Sequence, residues 1–429
     1  MRILVVGGGG REHALCWALH RDLPEATLFA APGNPGTAQL GTNLPIAATA
    51  VDDLVRAAAD QRIDVAVVGP EAPLAAGLVD RLRAAGRAAF GPTRAAARLE
   101  WSKAFAKDVM RKADVPAAAS REFDNFADAR RYISAASGDR LVVKASGLAA
   151  GKGVLVCDTR ADAERAARAM LEGEAFGDAG REIVVEELLE GEELSVMALT
   201  DGQQIAILPP AQDHKRLLEG DAGPNTGGMG AYCPVSLTTP ALLERVRREV
   251  FEPVLWEMRS RDTIYQGVLY AGLMIAPDGT PKVLEFNCRL GDPEAQVVLP
   301  LLPPGTVADL VSIATGKWRP AADVIAPTGT AVTTVVAARG YPDQPEVGAP
   351  ITLPSDLGPD VLVFHAGTAS GEQGALRVAG GRVLAVTALG RSVKEAAQKS
   401  AAACARIEFS GKTFRRDIGW REIARAGAA

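Results

Sequence analysis

The first hundred residues alternate short, mainly apolar runs with longer stretches of helical periodicity. Residues 2–6, 27–31, 64–68 and 88–90 read as buried strands, each closed by Gly or Pro. Residues 11–19, 51–59 and 74–85 carry the spacing of the helices between them. Strands with no polar face, joined by helices, predict a doubly wound parallel sheet. A helical stretch over 95–113 leads out of it. Strands are then predicted at 141–144 and 154–157, flanking a Gly-rich loop, and at 183–187 and 193–199. Two more, at 268–275 and 283–287, follow a helix over 241–259. The Pro/Gly-rich run 300–305 and the loop 318–328 mark a boundary. Beyond them come short strands at 331–338, 361–365 and 383–389, with one helix at 393–407. Three units follow: α/β over 1–100, mixed α+β over 101–325, and mainly β over 326–429.

Composition changes this picture little. The 429 residues are 48% hydrophobic and 23% charged, enough for several cores. A net charge of −5 without a basic stripe argues against nucleic acid as a partner. No apolar stretch reaches the ~18–20 residues of a membrane span, and the opening strand leaves no room for a signal peptide. The five cysteines are scattered with no CxxC pair, so neither a disulfide framework nor a zinc ribbon is expected. A cytoplasmic setting is expected.

The N-terminal turn Gly7–Gly10 joins a strand to a helix, where backbone NH groups can bind an anion. It fails as a dinucleotide fingerprint. Counting from Gly7 puts Glu12 where the third Gly belongs, and counting from Gly8 puts His13 there. The second strand also ends in Pro32-Gly33 rather than an acid. Phosphate binding with Arg11 nearby, a bare tight turn and nicotinamide binding all remain readings of this loop.

Residues 144–154, Lys-Ala-Ser-Gly-Leu-Ala-Ala-Gly-Lys-Gly-Val, form a Gly-rich hairpin carrying Lys144 and Lys152. Small residues permit close approach of backbone to phosphates, and Lys103 on the preceding helix offers another cation. A solvated surface loop is the plainer reading. Glu285 and Asn287, two apart on a strand, point to one face and offer hard oxygens to magnesium. Arg289 follows on that face and can hold a carboxylate or acyl phosphate by a bidentate fork. Asp292 reads equally as a helix cap. Asp213 can hold a cationic amine, and His214 beside it is a candidate general base. Acids at the end of strand 183–187 can sit beside a nucleotide or simply in water.

Twelve segments spread along the chain then agree with one family. KASGLAAGKGV (144–154), EGEELS (190–195), QDHKR (212–216), GPNTGGMGAY (223–232), YAGLM (270–274) and EFNCRLGDPE (285–294) resemble the glycinamide ribonucleotide synthetases. So do GGREHAL (9–15), APGNPGT (31–37), GPEAPL (69–74), SKAF (102–105), VFHAGT (363–368) and RRDIGW (415–420). The resemblance implies an α/β N-terminal domain, a two-lobed ATP-grasp core with a lid at about 120–190, and a small C-terminal domain. It implies ligation of glycine to 5-phosphoribosylamine with ATP, through a glycyl phosphate, in purine synthesis.

By match, Lys103 and Lys144 hold ATP phosphates under the loop bearing Gly147, Gly151, Lys152 and Gly153. Glu186, Glu187 and Leu189 meet adenine, Glu193 takes the ribose, and Glu285 and Asn287 bind Mg²⁺ or Mn²⁺. Asp213 and Arg289 take glycine's amine and carboxylate; with Lys144 they form the expected catalytic set. Phosphoribosylamine is expected at the strand C-terminal ends, near Gly9, Gly10, Arg11, Asn34, Pro70 and Glu71, with Gly291 and Asp292 opposite. A monomer with small-molecule partners only is expected. The departures are Ser146 where the family loop has an acid, Gly8 where it has Asn or Ser, Arg339 before Gly340, and no third acid in strand 269–274. Rival readings are another ATP-grasp ligase, a nicotinamide-dependent oxidoreductase and a non-enzymatic nucleotide-binding regulator.

Overall fold

The computed structural model describes residues 1–147, 153–173 and 177–428. Its N-terminal sheet is parallel throughout, in the order Thr42–Asn43, Thr27–Pro32, Arg2–Gly7, Val65–Val68, Ala88–Phe90. The period-two alternation of these strands divides them between two cores. Leu4, Val6, Phe29, Ala31, Ala66 and Val68 face one, and Ile3, Val5, Leu28, Ala30, Val65 and Val67 the other. Burial of both faces is why the strands lack a polar side. Chain order reverses on either side of Arg2–Gly7, which opens a crevice at its C-terminal end.

Two four-stranded antiparallel sheets form the middle of the molecule. One runs Ile205–Ile207, Glu192–Thr200, Gly267–Ile275, Pro281–Asn287. The other runs Ser120–Phe123, Ile183–Glu187, Leu141–Ala145, Val154–Cys157, with helices Phe126–Ala135 and Arg160–Leu171 packed on it. The second sheet keeps a small core of its own, whereas the first shares its core with the N-terminal sheet. This is the expected architecture: a doubly wound parallel sheet, a two-lobed ATP-grasp core and a mainly-β C-terminal part.

The sequence pattern misplaced three features. The helix expected over 74–85 is broken into Glu71–Ala75 and Leu78–Ala84 by Gly77 at φ 82°. The helix expected over 95–113 is broken at Ser102, whose hydroxyl caps Lys103–Lys112 by accepting from the Phe105 amide at 3.3 Å. The C-terminal sheet, in the order Gln212–Asp213, Gly230–Cys233, Thr330–Ala337, Arg382–Gly390, Val361–His365, takes its first two strands from mid-chain. Among the described residues no single helix is long and apolar enough to cross a membrane.

Candidate active site

The strand Pro281–Asn287 carries a bulge. Glu285 lies opposite Gly272 and Val283 opposite Leu273, so Leu284 is the extra residue. The bulge turns the Leu284 carbonyl toward Lys144, whose Nζ donates to it at 3.1 Å. Beyond it Glu285 and Asn287 share one face, as expected. Opposite them stand Gly272 and Tyr270, neither an acid, and the described residues contain no group of three metal-binding acids, histidines or cysteines. Burial alone would raise the Glu285 pKa. Lys215, Lys144, Lys103 and Arg289 outweigh it and hold the carboxyl below its ordinary value.

Lys144 sits on Leu141–Ala145, one register step diagonal to Glu186 on Ile183–Glu187. The Glu186 carboxylate is buried, meets Lys144 with one oxygen and lies 2.5 Å from Lys107 Nζ with the other. Glu186 was expected at adenine; its side chain instead faces the lysines. Lys107 escaped the sequence reading, although its i, i+4 spacing from Lys103 puts both on one helix face. Lys103 Nζ donates to the Gly147 carbonyl at 3.4 Å. Burial lowers the Lys103 pKa against the pull of Glu285. The Ser146 hydroxyl accepts from the Ala104 amide at 3.1 Å, in the first turn of Lys103–Lys112. A serine therefore supplies the acceptor there without a charge. Gly147 and Gly153 are tied by backbone bonds to Ala179 and Ala145; Gly151 and Lys152 lie outside the described residues.

Glu187 bonds Ala119 through both its amide and its carboxylate. Leu189 is half-buried in the linker to Glu192–Thr200. Glu193, expected at the ribose, is paired with Lys215 at 2.5 Å. Lys215 and Asp213 alternate with His214, so both point to the side opposite His214. Burial raises the Asp213 carboxyl to about 7 against Lys215, with Glu294 and Glu193 adding to the rise. Glu294 is itself buried, accepting from Tyr270 at 2.7 Å and Ser195 at 3.0 Å. His214 is no base for this site. It is buried, accepts from the Gly419 amide at 2.9 Å, and burial lowers its pKa.

Arg289 meets Glu100 at 2.9 Å and Glu71 at 3.5 Å, and donates to the Asn287 side-chain oxygen at 3.1 Å. Glu100 also escaped the sequence reading; it binds the Cys288 amide at 2.8 Å and so fixes the end of the strand Pro281–Asn287. Burial raises the Glu100 pKa, Arg289 opposing.

The N-terminal loop differs most from expectation. Glu12 turns back beneath it, accepting from the Gly9 amide at 2.7 Å and pairing with buried Arg11 at 2.6 Å. A Cβ on Gly7 or Gly69 would lie within 2.5 Å of the Glu12 side chain. Those glycines make room for a protein carboxylate, and Gly10 makes room for Gln296. Asn34 is likewise engaged, donating to the carbonyls of Gly8 at 3.0 Å and His365 at 2.8 Å. The Gly9 amide, Arg11 and Asn34 thus serve internal bonds rather than standing free for substrate. Glu71 opens a helix after Pro70. Asp292, following Gly291, is held by Arg382 at 3.1 Å and Gln296 at 2.8 Å.

Comparison with known proteins decides the family. Residues 1–100, 101–295 and 331–421 match, in turn, the N, ATP-grasp (A) and C domains of phosphoribosylglycinamide synthetase. The chain belongs to the phosphoribosylglycinamide synthetase family. It is 46% identical to the phosphoribosylamine–glycine ligase of Chlorobaculum tepidum, over 99% of this chain and 100% of that one. It is 46% identical to the human trifunctional purine biosynthetic protein adenosine-3, over 99% of this chain and 42% of that protein. The crystal structure of the phosphoribosylamine–glycine ligase of Thermotoga maritima superposes with a TM-score of 0.87 at 38% identity, covering 97% of this chain and 100% of that one. Family membership removes the oxidoreductase and regulator readings: members are ATP-dependent carbon–nitrogen ligases.

Proposed function

We propose that the chain joins glycine to 5-phosphoribosylamine with ATP, giving glycinamide ribonucleotide, ADP and phosphate, a step of purine biosynthesis. One observation carries the site assignment. Glu285 is held ionised among Lys103, Lys144, Lys215 and Arg289, with Asp213 beside Lys215. A carboxylate is a poor electrophile, so its transfer to an amine needs a leaving group. Phosphorylation of glycine by ATP supplies one as glycyl phosphate, which the ribosylamine nitrogen then attacks with loss of phosphate.

Lys103 and Lys144 offset the charge on the transferred phosphoryl group, and a preorganised cation needs no reorganisation during transfer. Arg289 takes glycine's carboxylate and Asp213 its amine. Binding requires Arg289 to relax its grip on Glu71, the longer of its two pairs. The hard oxygens of Glu285 and Asn287 suit Mg²⁺ or Mn²⁺, and the ionised state of Glu285 fits a cation. When bound, the metal supplies a positive charge against the phosphates. Residues 147–153 act as a lid that excludes water from the acyl phosphate.

We assign domains to 1–100, 101–325 with a lid at about 120–190, and 326–429; the separate core of the second middle sheet supports the lid. Adenine lies along Glu187–Leu189. We further propose a monomer in the cytoplasm, a setting that suits five unpaired cysteines; light scattering tests the mass. The activity is tested by ADP release with glycine and phosphoribosylamine each omitted in turn. Release that ignores glycine would overturn it.

A further inference from the structure

Segment 212–232 supplies Asp213 and Lys215, yet its register is set from behind by the C-terminal tail. Along this segment Asp213 and Lys215 turn toward Glu193, and His214 and the Arg216 carbonyl turn toward the tail. The second pair of residues meets residues 415–419. Arg415 has a side chain only 1% exposed, the most enclosed charged group in this region. It donates to the Arg216 carbonyl at 3.0 Å and to Asp221 at 2.9 Å. Asp417 grips the same guanidinium with both oxygens at 2.7 Å and accepts from the Gly220 amide at 2.8 Å. The Gly419 amide holds His214 at 2.9 Å. The tail therefore clamps the residues on either side of Lys215 without reaching the cleft.

We propose that Arg415 is a positioning residue for glycine recognition, acting through Arg216 and Asp221 to aim Asp213 and Lys215 at the cleft. The inference rests on the reading of Asp213 as the partner of glycine's amine. Arg415 itself touches no substrate in this role. A planar five-donor fork bridging a carbonyl and two carboxylates fixes orientation as well as charge, which a lysine cannot reproduce. A displacement on the order of 1 Å at a binding group is enough to cost a large factor.

The test is steady-state kinetics on the full chain, with glycine and ATP varied separately. Arg415→Ala should raise the KM for glycine about tenfold or more and leave the KM for ATP within about twofold. Arg415→Lys should fall between the two. If Arg415→Ala does not fold, Asp221→Asn decides, since it releases the same clamp; the same split is expected there. Equal rises in both KM values, or an unchanged glycine KM in the folded variant, would overturn the proposal. Asp213→Asn separates the two levels. If it leaves the glycine KM unchanged, the reading of Asp213 fails and this inference with it. If it raises that KM while the clamp variants do not, only the positioning role fails.

Discussion

Glu186 Oε2 lies 2.5 Å from Lys107 Nζ, with both side chains buried. The other Glu186 oxygen meets Lys144, so one carboxylate balances two ammonium groups beneath the proposed nucleotide site. Removing one member of a buried pair leaves an uncompensated charge. Glu186→Ala should cost about 3–5 kcal/mol of stability and weaken ATP binding. Thermal unfolding and titration calorimetry measure the two effects. A loss under about 1 kcal/mol would show the lysines to be solvated.

Glu285→Gln removes the charge of a carboxylate set among Lys103, Lys144, Lys215 and Arg289 while keeping its shape. Turnover should fall about 100-fold or more, by analogy with loss of one preorganised electrostatic group. The check is kcat at saturating ATP across a magnesium titration. Near-normal turnover at low magnesium would sink the metal assignment.

Asp213 has its carboxyl raised to about 7 by burial. Only the ionised form holds an ammonium group, so kcat/KM for glycine should climb as pH rises through about 7. The stability term has the opposite sense. A raised folded pKa favours the folded state below the ordinary carboxylate value, and that contribution is lost as pH rises through about 7. Asp213→Asn should flatten the kinetic limb; a limb that survives the substitution belongs to another group.

His13 and His365 lock the N-terminal helix to the C-terminal sheet, the His13 ring nitrogen accepting from the His365 amide at 2.8 Å. Burial, aided by His365, pushes His13 down to about 3, and burial pushes His365 to about 4. Below the ordinary histidine value of 6.5 the unfolded chain gains protons that the fold refuses. Stability should therefore fall between pH 6.5 and 4, on the order of 3 kcal/mol for His365 alone. Melting temperature against pH checks it, and His365→Asn should reduce the slope.

The parallel sheet was legible because burial on both faces leaves an unbroken apolar run, as in Ile3–Val6. The shared face of Glu285 and Asn287 was legible because strand period two holds locally, and the bulge falls at Leu284, before them. Glu100, Lys107 and Glu12 were not. Each is a charged residue on a helix, where solvent is the ordinary surrounding, and only tertiary packing turns them inward. The glycines of residues 7–10 misled for a related reason. Sequence shows that something must fit against a residue without Cβ, but not whether it is a phosphate or Glu12. The place of Gly230–Cys233 in the C-terminal sheet was not legible, because its partner Thr330–Ala337 lies about a hundred residues further along the chain.

The shared C-terminal sheet bears on how the enzyme is made. Gly230–Cys233 finds its neighbour in Thr330–Ala337, and Arg415 closes over Arg216 and Asp221 later still. During synthesis the ribosome releases Lys103, Lys144 and the strand Pro281–Asn287 well before the residues that clamp the segment bearing Asp213. Nascent chains halted before residue 415 should therefore bind nucleotide before they acquire a finished glycine pocket, so competence for the full reaction arrives only with the last stretch of polypeptide.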